Sequence, residues 1–271
     1  MQVRAHYYRQ FHADHDRDVP AEGYGGWRSA ELEIDPARTA LVVMHAWDCG
    51  TRQRFPGWWR SVEYLPRAEH IMQTVFPPLL AAVRAAPLKL YHVVGGAGDY
   101  YRHYGGYRRT VELAGPEPAP PEKIRADRSL KRLRKFRMTH SRQGPENRPD
   151  IVRGLKAMKD FPPAARPVGD EPVAATTRQL FAVCKRDGVS HLVYAGFAVN
   201  WCLLLEPGGM AEMSRRGLIC SAIREAVTAV ENRETAREEL CKSVALWRVG
   251  LAFGFVFDVD DFVAALQSAR R

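Results

Sequence analysis

Apolar runs without helical spacing punctuate the chain at residues 39–44 (TALVVM), 88–94 (LKLYHVV), 191–197 (HLVYAGF), 217–223 (GLICSAI) and 254–259 (GFVFDV). Apolar residues fill successive positions in them, so each reads as a strand buried on both faces. Amphipathic stretches lie between. Ile71, Val75, Leu79 and Val83 recur at helical spacing, and Pro77-Pro78 should kink that helix or split it in two. Residues 176–187 predict a helix with Leu180, Val183 and Cys184 inward. A further helix opens near residue 201, breaks at Glu206-Pro207-Gly208-Gly209 and resumes over 210–216. A long helix follows within 231–247, and residues 260–268 form the last. Strands alternating with helices in this way predict an α/β fold, a three-layer doubly wound sheet with helices on both faces and right-handed crossovers.

With 271 residues and 46% hydrophobic content, the chain can bury a full core. We read residues 1–35 as an N-terminal arm packed on the domain or on a second subunit, and 36–271 as one domain. Proline and charge mark both edges of an interruption at 116–170, a lid or subunit contact with one amphipathic helix around 129–138. The net charge of +9 concentrates in residues 123–142, where nine Lys or Arg stand against the single Asp127. No nucleic-acid module accompanies it, so nucleic acid is not the expected partner. No stretch approaches the roughly 20 apolar residues of a membrane span, and the N-terminus lacks a signal-like apolar core. A cytoplasmic location is expected. Cys49, Cys184, Cys202, Cys220 and Cys241 are unclustered, which argues against disulfides or a structural zinc site. His6, His12 and His15 with Asp14, Asp16 and Asp18 lack ligand spacing on a predicted element. They read as a solvated arm, and no metal or cofactor is expected.

The candidate chemistry lies at 188–202, GVSHLVYAGFAVNWC. The strand runs into Gly196; Asn200 can cap the next helix, placing Cys202 in its first turn. Backbone N–H groups there would lower the thiol pKa and could hold a developing oxyanion, with Ala198, Val199, Asn200 and Trp201 as the nearby donors. The alternative is that Cys202 is a small buried hydrophobe. Gly196, Ala198, Asn200 and Cys202 resemble the nucleophile motif of the isochorismatase-like cysteine hydrolases, and residues 40–44 (ALVVM) resemble that family's first strand. The resemblance spans roughly residues 36–265. It implies six mainly parallel strands in the order 3-2-1-4-5-6, a small-molecule substrate and a homo-oligomer.

Two family positions differ. The Asp that follows the first strand is replaced by His45, a possible base for Cys202 that Asp48 could orient. The family Lys is missing, with Glu171-Pro172-Val173 in its place. The glycine-rich loop after residue 94 has Tyr101 where a phosphate cradle would need Gly. Its Tyr100, Tyr101, His103 and Tyr104 read either as crevice lining or as surface packing. Two functions follow: a hydrolase of C–N amide-type or related bonds acting through a Cys202 thiolate and acyl intermediate, or a catalytically silent fold serving binding or assembly.

Overall fold

In the computed structural model, which describes residues 1–95, 98–157 and 160–269, eight strands form one sheet. They are β1 (Gln2–Arg9), β2 (Gly26–Glu33), β3 (Thr39–Met44), β4 (Lys89–Val93), β5 (Val173–Ala174), β6 (His191–Phe197), β7 (Ile219–Thr228) and β8 (Val256–Phe257). The sheet order is β2-β1-β8-β7-β6-β3-β4-β5. From β5 to β8 all neighbours are parallel. Counted among themselves, those six strands run 3-2-1-4-5-6, as the resemblance implied. The expectation of six strands is corrected by the antiparallel hairpin of β1 and β2, which joins the edge through His6 opposite Val256 and makes the sheet mixed. Residues 1–35 therefore contribute two strands to the sheet. Val3 and Ala5 alternate inward on β1 and are buried, the period of a strand with one covered face.

β3 shows why the runs are continuous. Ala40, Val42 and Met44 enter one core and Leu41 and Val43 the other. The first core is closed by Leu180 and Val183 of helix Thr177–Asp187, by Met210 and Met213, and by Ala245 and Leu246. The second is closed by Ile71, by Phe76, Leu79 and Val83, and by Phe262 and Leu266 of the last helix, Val259–Ser268. The Pro77-Pro78 pair splits the predicted helix into Leu65–Thr74 and Phe76–Arg84, since both prolines fall in the first turn of the second, where no backbone donor is needed. The long helix expected within 231–247 is shorter, Leu240–Arg248.

In the interruption, helix Arg148–Ala157 packs on helix Pro56–Ser61: the Asp150 carboxylate accepts from the N–H groups of Gly57 (2.6 Å) and Trp58 (3.3 Å). Helix Arg128–His140, the basic stretch, buries none of its residues. The N-terminal His and Asp residues disperse: His6 Nε2 lies 2.8 Å from Asp258, and Arg17 donates to Asp14 at 2.8 Å. Among the described residues, no helix is long and apolar enough to cross a membrane.

Within this frame His92 is buried and His45 and His191 are partly buried. Burial lowers the pKa of His45 to about 4 and that of His191 to about 4, and it lowers that of His92 as well. In the unfolded chain such groups take up protons near pH 6.5. Between that pH and about 4 the unfolded state binds more protons, so stability is complete above 6.5 and drains as the pH falls through this window. A Tm lower by roughly 10 °C at pH 4.5 than at pH 7.5 is expected by scanning calorimetry.

Candidate active site

β3 and β6 are in register, with Met44 opposite Gly196, so both strands release the chain at one point of the carboxyl edge, where α/β folds place their sites. Gly196 has φ 123°, and a Cβ there would overlap the Met44 carbonyl. Only glycine allows this approach. His45 then turns out of β3 at φ 55°, its N–H donating to the Val93 carbonyl at 2.9 Å. Across from it, the Phe197–Ala198 peptide is cis. The Val199 N–H donates to Thr228 O at 2.8 Å, and those of Trp201 and Leu203 both donate to Ala198 O at 3.1 Å. This turn delivers Cys202 as the first residue of helix Cys202–Leu205.

His45 and Cys202 line one cavity of about 70 Å³ together with Trp47, Cys49, Trp58 and Tyr64. It adjoins an outer chamber of about 420 Å³, sharing Trp47, Cys49, Leu65, Ala68 and Met72 with it. Trp59, Pro77, Pro162 and Pro163 form the outer walls, with Asp48 and Glu69. A groove of about 340 Å³, lined by Trp201, Leu205, Leu240 and Val244 among others, contains neither His45 nor Cys202.

The electrostatics correct one expectation. The Cys202 thiol pKa is raised, not lowered: burial pushes it up and Glu206 adds to this, against backbone hydrogen bonds from Ala198 and from Cys202 itself. The helix it opens has four residues, too few peptide dipoles to offset desolvation. With its pKa near 4, His45 is neutral at pH 7. Its ring stacks on Trp47 with centroids 5.1 Å apart, and its Nδ1 is buried without a hydrogen-bond partner among the described residues. The resting pair is thus thiol and neutral imidazole. Tyr64 was not foreseen. Burial, then the neighbouring Cys202 and Cys49, raise its pKa, so a protonated hydroxyl stands beside both sulfurs. It comes from the Arg- and Trp-rich stretch 51–64, whose fold depends on Asp150 across the interruption.

Other sequence-predicted residues lie elsewhere. Asp48 accepts from the Gly50 N–H at 2.9 Å and lines the outer chamber; with no hydrogen bond to His45, it does not orient the imidazole. Tyr101 is buried among Tyr107, Phe161 and Val173. His103 Nδ1 sits 2.8 Å from Tyr100 O at the surface. Neither lines the Cys202 cavity, because the loop folds back onto its own aromatic cluster. The N–H groups of Val199 and Trp201 are already used, leaving Ala198, joined by Cys202 itself, as the donors at the sulfur. Asn200 is no helix cap. Its Nδ2 donates to Val230 O at 2.8 Å and its Oδ1 accepts from Val230 N–H at 2.9 Å, while Trp201 holds the N-cap position. Asn200 thereby pins the Cys202 turn to the exit of β7. Asn200→Ala should cost about 2 kcal/mol, read by urea unfolding, for two hydrogen bonds lost from a partly buried site.

No protein-family model matches the chain, and no curated protein matches it in sequence. Solved structures do. A cysteine hydrolase from Pseudomonas syringae pv. phaseolicola is 15% identical, with 87% of this chain and 95% of that chain covered and a TM-score of 0.52. An isochorismatase family protein from Burkholderia thailandensis is 16% identical over 86% of this chain and 97% of that one, TM-score 0.49. An isochorismatase-like hydrolase from Alkaliphilus metalliredigens is 14% identical over 86% and 98%, TM-score 0.48. With its six parallel strands in the order 3-2-1-4-5-6, the chain has a divergent isochorismatase-like α/β fold.

Proposed function

We propose that the chain is a cysteine hydrolase that cleaves a C–N amide-type or related acyl bond of a small molecule through Cys202. The observation that carries this reading is that Cys202 and His45 line one cavity, with the backbone N–H groups of Ala198 and Cys202 at the sulfur. When a carbonyl carbon reaches the sulfur, the thiol proton passes to neutral His45 and the S–C bond forms. The carbonyl oxygen, now negative, faces the N–H groups of Ala198 and Cys202. Collapse breaks the C–N bond, the amine leaves with the proton from His45, and a thioester remains on Cys202. Water then adds to the thioester, giving a proton to His45; the acid departs and the proton returns to the sulfur. In this reading the Tyr64 hydroxyl, protonated near Cys202, supports the leaving group. Residues 116–170 serve as a cover, since Pro162 and Pro163 wall the outer chamber. The exposed Trp201, Leu205 and Val244 beside the site suit contact with a second copy of the chain.

One observation favours the second reading, a silent fold that binds or assembles: the resting thiol and imidazole are both neutral, and among the described residues no carboxylate or Lys lines the inner cavity. A panel of small amides and esters, assayed for release of amine or alcohol, separates the two. Turnover that falls away only as the pH approaches about 4, where His45 gains a proton, supports the hydrolase. A panel wholly inert across pH 5–9 supports the silent fold.

A further inference from the structure

We infer that this site takes neutral or cationic acyl compounds with a flat apolar body and turns away anionic ones. The inference deepens the hydrolase reading and rests on it for the word substrate.

The charge argument comes from the walls. Ionisable groups lining the two chambers are His45, Cys49, Tyr64, Cys202, Asp48 and Glu69. The first four are uncharged near neutral pH: burial drives His45 to about 4 and Cys49 up to about 12, and it raises Tyr64 and Cys202. That leaves two carboxylates. Among the described residues, neither Asp48 nor Glu69 forms an ion pair and no Lys or Arg lines either chamber. Several nearby cations are committed elsewhere. Arg67 pairs with Glu63 and Glu239, Arg60 donates to Asn147, and Arg153 pairs with Asp150. A chain of net charge +9 therefore presents a locally negative mouth, whose field repels anions on their way to the sulfur.

The shape and donors add the rest. Trp47, Trp59, Pro77, Pro162 and Pro163 offer flat apolar walls to the body of a ligand, while the inner 70 Å³ admits little beyond its carbonyl end. The indole Nε1–H groups of Trp47 and Trp59 are buried with no hydrogen-bond partner among the described residues. Buried donors of this kind call for an acceptor. A carbonyl oxygen supplies one without charge; a carboxylate would supply one too, but would pass two acids and meet no cation.

Alkylation of Cys202 by iodoacetamide and by iodoacetate tests this without turnover. The reagents differ in charge, and peptide mapping isolates Cys202 from the other thiols. The urea-unfolded chain gives the intrinsic ratio of the two rates. In the folded protein the ratio should favour iodoacetamide about tenfold more than in urea, shrink as ionic strength rises, and fall toward the urea value in the double variant Asp48→Asn, Glu69→Gln. The amide that replaces the Asp48 carboxylate keeps an acceptor for the Gly50 N–H, so the turn should survive. A folded-state ratio equal to the urea value, a preference for iodoacetate, a ratio unmoved in the double variant, or exclusion of both reagents would each overturn the inference. Charge selection without hydrolysis of any amide would defeat the hydrolase reading alone, and hydrolysis without charge selection would defeat this inference alone.

Discussion

Cys202→Ala is expected to lower turnover on the order of 10³-fold or more, with little change in stability. The sulfur is the only atom in the proposed route that forms and breaks a bond to the acyl carbon. Without it, the N–H groups of Ala198 and of residue 202 can still polarise a carbonyl, but His45 can only assist water, a weaker nucleophile. Cys202 is half-buried at the edge of its cavity, so the lost packing is small and Tm should stay within a few degrees. Initial rates and a melting curve on the same preparation check both halves. Cys241 is also half-buried but lies outside the cavity, and Cys241→Ser should leave the rate alone.

Gly196→Ala is expected to destabilise the fold by about 4 kcal/mol or more, beyond the usual range for one methyl group. The added carbon would overlap the Met44 carbonyl at φ 123°, where neither side can yield without breaking the β3–β6 ladder. Gly188→Ala is the control. Gly188 also sits at positive φ, 68°, ending helix Thr177–Asp187, but has open space around it, so only the backbone term of about 1 kcal/mol applies. Denaturant unfolding of both variants, compared at equal m-values, separates collision from conformational preference.

The sequence was most legible where burial is uniform. β3 spans residues 39–44, as its apolar run predicts, because a central parallel strand admits only apolar side chains on either face. β5, with two residues, is too short to leave a pattern. β1 and β2 escaped because the hairpin lies at the sheet edge with one side in water, though the inward alternation of Val3 and Ala5 was a usable sign. The site divides in the same way. His45 and Cys202 sit directly at strand ends, so topology alone brings them to one cavity. Asp48, Tyr101, His103, Tyr64 and Trp58 sit on connections whose course is set by distant contacts such as Asp150 with Gly57. The direction of the Cys202 pKa was illegible for a related reason: proximity to a helix start can be read from sequence, while the burial that outweighs it comes from residues far along the chain.

The most direct test of Cys202 as the nucleophile is capture of the acyl enzyme. The protein is mixed with p-nitrophenyl acetate, a neutral activated ester, quenched in acid at early times and mapped by peptide mass. An acetyl group that appears on the peptide bearing Cys202 within the first turnover, and decays as acetate is released, is the expected result. Product that accumulates while Cys202 stays unmodified, or acetyl found only on Cys49 or Cys241, would contradict it.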